Sequence, residues 1–209
     1  MQTNKNVYDQ VFGLAPSKSQ QTMISIAEAA IHNFSQLGIE NTTFDTIAKR
    51  CKLSRTIVVR YFPDKDSLFV FVAKYVRATY QQYVIQRFSD KGGAEKKLES
   101  YIEAAMTWVN DMPEHGATWL LFFYYCGIRP AHRKLNTELV EMGVNRISSI
   151  LEQGIKEEVF KIAHVKKVAR SVQLHLSGAI MALLTESKEF NPGIIKETQR
   201  FCLKIASHE

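Results

Sequence analysis

The chain has 209 residues, 45% hydrophobic and 23% charged, a balance that supplies a buried core and excludes disorder throughout. A net charge of +6, with a pI near 9.2, permits an anionic partner such as nucleic acid without demanding one. Cys51, Cys126 and Cys202 are odd in number and in no ligand spacing, against a disulfide framework or zinc site and in keeping with a reducing cytoplasm. The longest apolar run, Trp119 to Ile128, is too short to cross a bilayer, and the N-terminus has no signal-peptide apolar core, so a soluble intracellular protein is expected.

Residues 1–16 read as a polar, flexible arm ending at Pro16. Ser17 to Gln20 then has the Ser-x-x-Gln form of a capping box, and Met23, Ala27, Ala30, Phe34 and Leu37 make a helical stripe that stops at Gly38. Thr43 is the expected N-cap of a short helix to Cys51, and Ser54 that of a second short helix through Phe62, ended by Pro63. Asp64 caps a long helix with Leu68, Phe71, Val72, Tyr75, Val76 and Thr79 on one side and Phe69, Ala73 and Tyr80 on another, the pattern of a helix packed on two faces.

After the loop Asp90 to Gly93, a helix with Ala94, Leu98, Tyr101, Ile102, Ala105 and Val109 runs towards Pro113, and a very apolar helix follows to about Gly127. Pro130 opens a helix carrying Leu135, Leu139, Met142, Ile147, Ile150, Leu151 and Ile155. Two further helices, about 164–187 and 194–207, flank an Asn191-Pro192-Gly193 turn. No segment alternates with period two and no long repeat is visible, so the expected fold is all-α. Its expected domains are a helix-turn-helix at 17–65 and a larger helical domain at 66–209.

From Thr43 to Lys65 there are six bases against two acids, a net of +4 over 23 residues. Two short helices joined by a tight turn, the second rich in bases, form a helix-turn-helix, whose second helix enters the major groove. The run Ile57-Val58-Val59 between Arg55 and Arg60 is unfavourable for helix formation and must be justified by what it touches. Val58 and Phe62, four apart, belong with Ile47, Cys51 and Leu53 in a small core. Arg55, Thr56, Val59 and Arg60 then face outward, and Val59 and Ile57 can meet thymine methyl groups while the arginines take guanine or phosphate. Lys65, with the amide at the start of its helix, suits a phosphate. Thr43 and Tyr61 admit two roles each, as cap or core closure and as phosphate contact.

The segment from Thr42 to Leu68 resembles the DNA-binding segment of TetR-family transcriptional regulators, through Thr42-Thr43, Ile47-Ala48, Leu53-Ser54, Tyr61-Phe62 and the Phe-x-x-Lys from Phe62 to Lys65. The resemblance covers roughly residues 17–80. It implies DNA contacts at Thr42, Thr43, Arg55, Thr56, Ile57, Val59, Arg60, Tyr61 and Lys65. It also implies a homodimer through the two C-terminal helices, a palindromic double-stranded operator, and a cavity for an inducer in the larger domain. The chain departs from the family at Cys51-Lys52, where Ala-Gly is common, and at Val59, where an aromatic hydroxyl usually grips phosphate.

In the larger domain Tyr75, Tyr101, Trp108, Phe122, Phe123 and His175 are candidate contacts for an apolar or aromatic ligand, against the alternative that aromatic residues at helical spacing are core. The helix from His164 offers Val165, Val168, Val172, Ala179 and Leu183 on one face and Ser171, Leu174, Gly178 and Met181 on another. With Phe201, Cys202 and Ile205 the second face would build a two-fold four-helix bundle. No catalytic signature, cofactor motif or metal spacing is present. The reading is a dimeric repressor released from DNA by a small molecule. The alternative is a non-catalytic sensor or protein-interaction module of the same fold with weakened DNA binding.

Overall fold

The computed structural model describes residues 16–89, 91–186 and 192–207, and among them it is all-α, as expected. Nearly all of the N-terminal arm, Asp90 of the Asp-Lys-Gly-Gly loop, Ser187 and Asn191 of the Asn-Pro-Gly turn lie outside the described residues. The helices are α1 (Lys18–Asn41), α2 (Phe44–Arg50), α3 (Arg55–Tyr61), α4 (Lys65–Arg87), α5 (Ala94–Asp111), α6 (Pro113–Ile128), α7 (Pro130–Lys156), α8 (Val165–Thr185) and α9 (Pro192–Ser207). Pro192 opens α9 and does not precede it in a turn, since a proline at the first helical position loses no hydrogen bond.

The chain divides into two compact units, residues 1–82 with 112–124 and residues 83–111 with 125–209. This differs from a boundary at residue 65. Most of α4 and α6 belongs with the head because α1 is too apolar to be covered by two short helices. Ile26, Ala27, Ala30, Ile31 and Phe34 of α1 are buried, as are Leu68, Phe69, Val72 and Val76 of α4, and the rings of Phe34 and Phe69 meet edge to face at 5.8 Å. From α6, Thr118 is buried and its hydroxyl donates to Glu114 O at 2.8 Å. At Gly38 the backbone of α1 turns through φ 73°, ψ 169°, a conformation that side chains oppose, so the helix breaks there as the sequence implied.

In the second unit α8 packs against α7, α5 and α9, and α5 against α7 and α9. On α5 the buried set is wider than one stripe: Leu98, Tyr101, Ile102, Ala104, Ala105, Met106, Trp108 and Val109. On α7, by contrast, the expected continuous apolar face divides. Val144, Ile147, Ile150 and Leu151 are buried, whereas Met142 is 40% exposed. The end of α7 is fixed by Phe160, whose ring fills the space where a side chain on Gly154 would stand. A loop acid caps α5 from afar: the Ala94 amide donates to Glu157 Oε2 at 2.7 Å, and this bond holds the Glu157 carboxyl below its ordinary range.

On α8, Val168, Val172, Leu176 and Ala179 are buried, while Ser171, Leu174 and Gly178 are exposed, as the two expected faces require. Cys202 does not lie on the expected outward bundle face: it is fully buried inside its own unit, where desolvation pushes its thiol up to about 12.

Candidate nucleic-acid interface

Both short helices of the head start from side-chain caps. Thr43 Oγ1 accepts from the Thr46 amide at 3.2 Å, and Thr46 Oγ1 accepts in return from the Thr43 amide, which closes a capping box with threonine in place of the usual acid or amide. Ser54 Oγ accepts from the Ile57 amide at 3.3 Å. Asp64 Oδ1 accepts from the Ser67 amide at 2.7 Å at the head of α4. The turn between α2 and α3 satisfies the last carbonyls of α2: Leu53 N donates to Ala48 O at 2.9 Å and Lys52 N to Lys49 O at 3.4 Å. This is a Schellman arrangement, and it holds Lys52 at φ 56°, where glycine is ordinarily found.

The side chains of α3 sort by face. Val58 is fully buried and Phe62 is 3% exposed, joining Ile47, with the Phe62 and Phe71 rings 5.2 Å apart. Cys51 and Leu53 close this small core as half-buried residues. Arg55, Thr56, Val59 and Arg60 are exposed, and Ile57 and Tyr61 are half-buried. Arg55 Nε lies 3.5 Å from Asp45 Oδ2 of α2, an open ion pair that competes weakly with any other anion. Arg60 places its guanidinium 5.3 Å from the Tyr61 ring centroid. Lys49, Arg50 and Lys52 add exposed cations at the turn.

Two candidates have structural employment. Thr42 has no exposed surface, and its hydroxyl donates to Gly38 O at 2.8 Å. Its side chain secures the break in α1 and, contrary to expectation, is not available as a DNA contact. Lys65 Nζ donates to Ile39 O at 3.2 Å and Glu40 O at 3.1 Å, so two of its three N–H groups satisfy the carbonyls at the end of α1. One donor and the full charge remain. Lys52 stands exposed at the turn, at the position where the family commonly has glycine.

The six ligand candidates are not gathered in one unit: Tyr75, Phe122 and Phe123 fall in the first, Tyr101, Trp108 and His175 in the second. Tyr75 is buried and donates to Glu28 Oε1 at 2.5 Å. Phe122 is buried and stacks on Trp119 at 4.8 Å, with half-buried Phe123 edge-on to Trp119 at 5.6 Å. Tyr101 and Trp108 are buried in α5. His175 is half-buried against Phe201 of α9, centroids 4.2 Å apart, and desolvation lowers its pKa. Among the described residues no group of three or more His, Cys, Asp or Glu could hold a metal, and no helix is long and apolar enough to cross a membrane.

Comparison with known proteins converges on this head. The family of bacterial regulatory proteins, tetR family, matches residues 26–71, which span most of α1, all of α2 and α3 and the start of α4. The HTH-type transcriptional regulator BetI of Paraburkholderia phytofirmans is 28% identical over 111 residues, 53% of this chain and 57% of that protein. HbdR of Aromatoleum sp. (strain CIB) is 26% identical over 141 residues, 68% of this chain and 59% of that one. The chain thus spans somewhat more than half the length of the curated relatives it matches. Solved structures extend the likeness of fold to almost the whole chain. A TetR transcription regulator from Haloarcula marismortui gives a TM-score of 0.77 at 16% identity, covering 89% of this chain and 96% of that one. A transcriptional regulator from Saccharomonospora viridis, solved in complex with choline, gives 0.75 at 15% identity, covering 90% and 97%. Residues 26–71 thus match the tetR family of bacterial regulatory proteins, within a chain whose all-α fold the solved structures share.

Proposed function

We propose that this protein is a cytoplasmic, non-catalytic regulator that binds a palindromic DNA operator as a homodimer, represses transcription there, and is released by a small molecule. The observation that carries the DNA reading is the division of α3, with Val58 and Phe62 buried and Arg55, Thr56, Val59 and Arg60 outward on a basic head. Such a face reads base edges, while Thr43, Tyr61, Lys65 and the turn lysine fix register on phosphates. Dimerisation is supported by an open face on α8 and α9, where Leu174 is 62% and Phe201 47% exposed and Gly178 has nothing within 4 Å of a built Cβ. A two-fold pair of heads reads half-sites about one helical turn apart, roughly 34–36 Å.

Release requires a ligand that binds the DNA-incompetent state more tightly. The aromatic side chains of α5, Tyr101 and Trp108, favour an apolar or aromatic compound, and the choline complex of the Saccharomonospora protein makes small organic cations worth including. Selection from a randomised duplex pool, followed by anisotropy titration across a salt series, tests the central claim. Enrichment of a palindrome with a steep salt slope is the expected outcome. Folded, dimeric protein that enriches nothing would favour the sensor or interaction-module reading, for which Val59 in place of the family's aromatic is the motivating feature.

A further inference from the structure

The first turn of α1 and the last residue of α3 lie far apart in sequence yet touch. Ser19 Oγ donates to the Tyr61 hydroxyl at 3.2 Å. Ser19 is itself held by a rigid start to the helix: Ser17 Oγ accepts from the Gln20 amide at 3.3 Å and Gln20 Oε1 from the Ser17 amide at 2.7 Å. On its other side the Tyr61 ring lies under the Arg60 guanidinium. The ring is therefore steadied from two directions, by a hydroxyl on α1 and by a cation on its own helix.

A phenol oxygen has one proton to give and lone pairs to accept with. Donation from Ser19 occupies the accepting side and leaves the phenol proton for another recipient. A hydroxyl that accepts one hydrogen bond becomes a better donor of the next. In keeping with this, the Tyr61 pKa is lowered, chiefly by Ser19, with Thr22 and Arg60 contributing. The first turn of α1 holds no acid, so nothing there repels an approaching phosphate.

We propose that Ser19 is a positioning residue for DNA binding, which holds the Tyr61 hydroxyl so that its proton is aimed at a backbone phosphate. The inference rests on the DNA reading above and adds α1 to the elements that set the interface. It also gives the head a phosphate donor by a route other than the aromatic residue that Val59 replaces.

The test compares the full-length wild type with Ser19→Ala, Ser19→Thr, Tyr61→Phe and the Ser19→Ala/Tyr61→Phe pair on the selected duplex, by anisotropy across salt. Ser19 is exposed and alanine favours helix, so loss of binding by Ser19→Ala does not come from unfolding. Ser19→Ala is expected to weaken binding about threefold to tenfold, the size of one neutral hydrogen bond, with an unchanged salt slope. Ser19→Thr should restore it, and the double variant should be no worse than Tyr61→Phe. In the free protein, the Tyr61 ring-carbon NMR titration should move to higher pH in Ser19→Ala. Wild-type-like binding by Ser19→Ala, or an undiminished effect on the Tyr61→Phe background, overturns the inference alone. Wild type that selects no duplex overturns the DNA reading and this inference together, and the NMR titration then reports only whether the Ser19–Tyr61 bond exists.

Discussion

Lys52 and Glu158 occupy the same kind of position in different units. Each follows the last turn of a helix with positive φ, 56° and 61°, and each sits in a Schellman pair; at Glu158 the bonds run from Val159 N to Gly154 O and from Glu158 N to Ile155 O. A side chain in the left-handed region costs roughly 1–2 kcal/mol, and glycine removes most of that. Lys52→Gly and Glu158→Gly should each stabilise the protein by about 1 kcal/mol in urea denaturation. Lys52→Gly should also lose DNA affinity by removing a cation beside α3. A gain in stability without that loss would take Lys52 out of the interface. The neighbours Val58 and Val59 give the complementary contrast. Val58→Ala should cost about 1–3 kcal/mol of stability through a cavity, whereas Val59→Ala should stay within about 0.5 kcal/mol and change base preference instead.

At the scale of elements, α1, α4 and α6 meet through ionisable side chains. His32 Nδ1 pairs with Glu114 Oε1 at 2.6 Å, and Glu28 Oε1 accepts from Tyr75 with His115 Nε2 4.0 Å away. His115 is buried with that nitrogen unpartnered, and desolvation lowers its pKa against the opposing pull of Glu28 and Glu114. The unfolded chain therefore takes up a proton before the folded one does. Stability contributed by neutral His115 is present above the unfolded value near 6.5 and is lost as pH falls through the lower folded value. Denaturation midpoints should decline over that mildly acidic window, and His115→Gln should flatten the decline; an unchanged slope would assign it to other groups. Gly154 ties two elements differently. Gly154→Ala should destabilise the second unit by about 1–3 kcal/mol, because the new methyl displaces the buried Phe160 ring.

For the whole molecule, the proposed operator reading links assembly to DNA affinity, since one head would meet only one half-site. Light scattering of the wild type should give twice the chain mass of 23.9 kDa. Leu174→Glu, on the open face of α8, should give the monomer mass with helicity intact and lose operator binding. A dimer that survives this change would place the interface elsewhere. Arg60→Ala separates two roles: a uniform loss with the salt slope reduced by about 1 marks a phosphate contact, while relaxed preference at one base pair marks guanine reading.

The helices and the faces of the head follow from local signals in the chain. Capping residues Ser17, Thr43, Ser54 and Asp64, the break at Gly38 and the three-and-four spacing of apolar residues are local signals, governed by backbone hydrogen bonding within a few residues. The outward set on α3 was legible for the same reason, because a seven-residue helix that buries Val58 and is followed by buried Phe62 has only one other side. Contacts between remote segments settle what those local signals cannot contain. Lys65 looks like a surface ligand until the carbonyls at the end of α1 are brought to it from 25 and 26 residues away. Cys202 looks like an interface residue until the rest of its unit covers it. The Ser19–Tyr61 bond joins residues 42 positions apart, and the aromatic candidates divide between units that their spacing treats as one. Periodicity specifies which residues share a face, but which partner covers that face is set by the packing of segments remote in the chain.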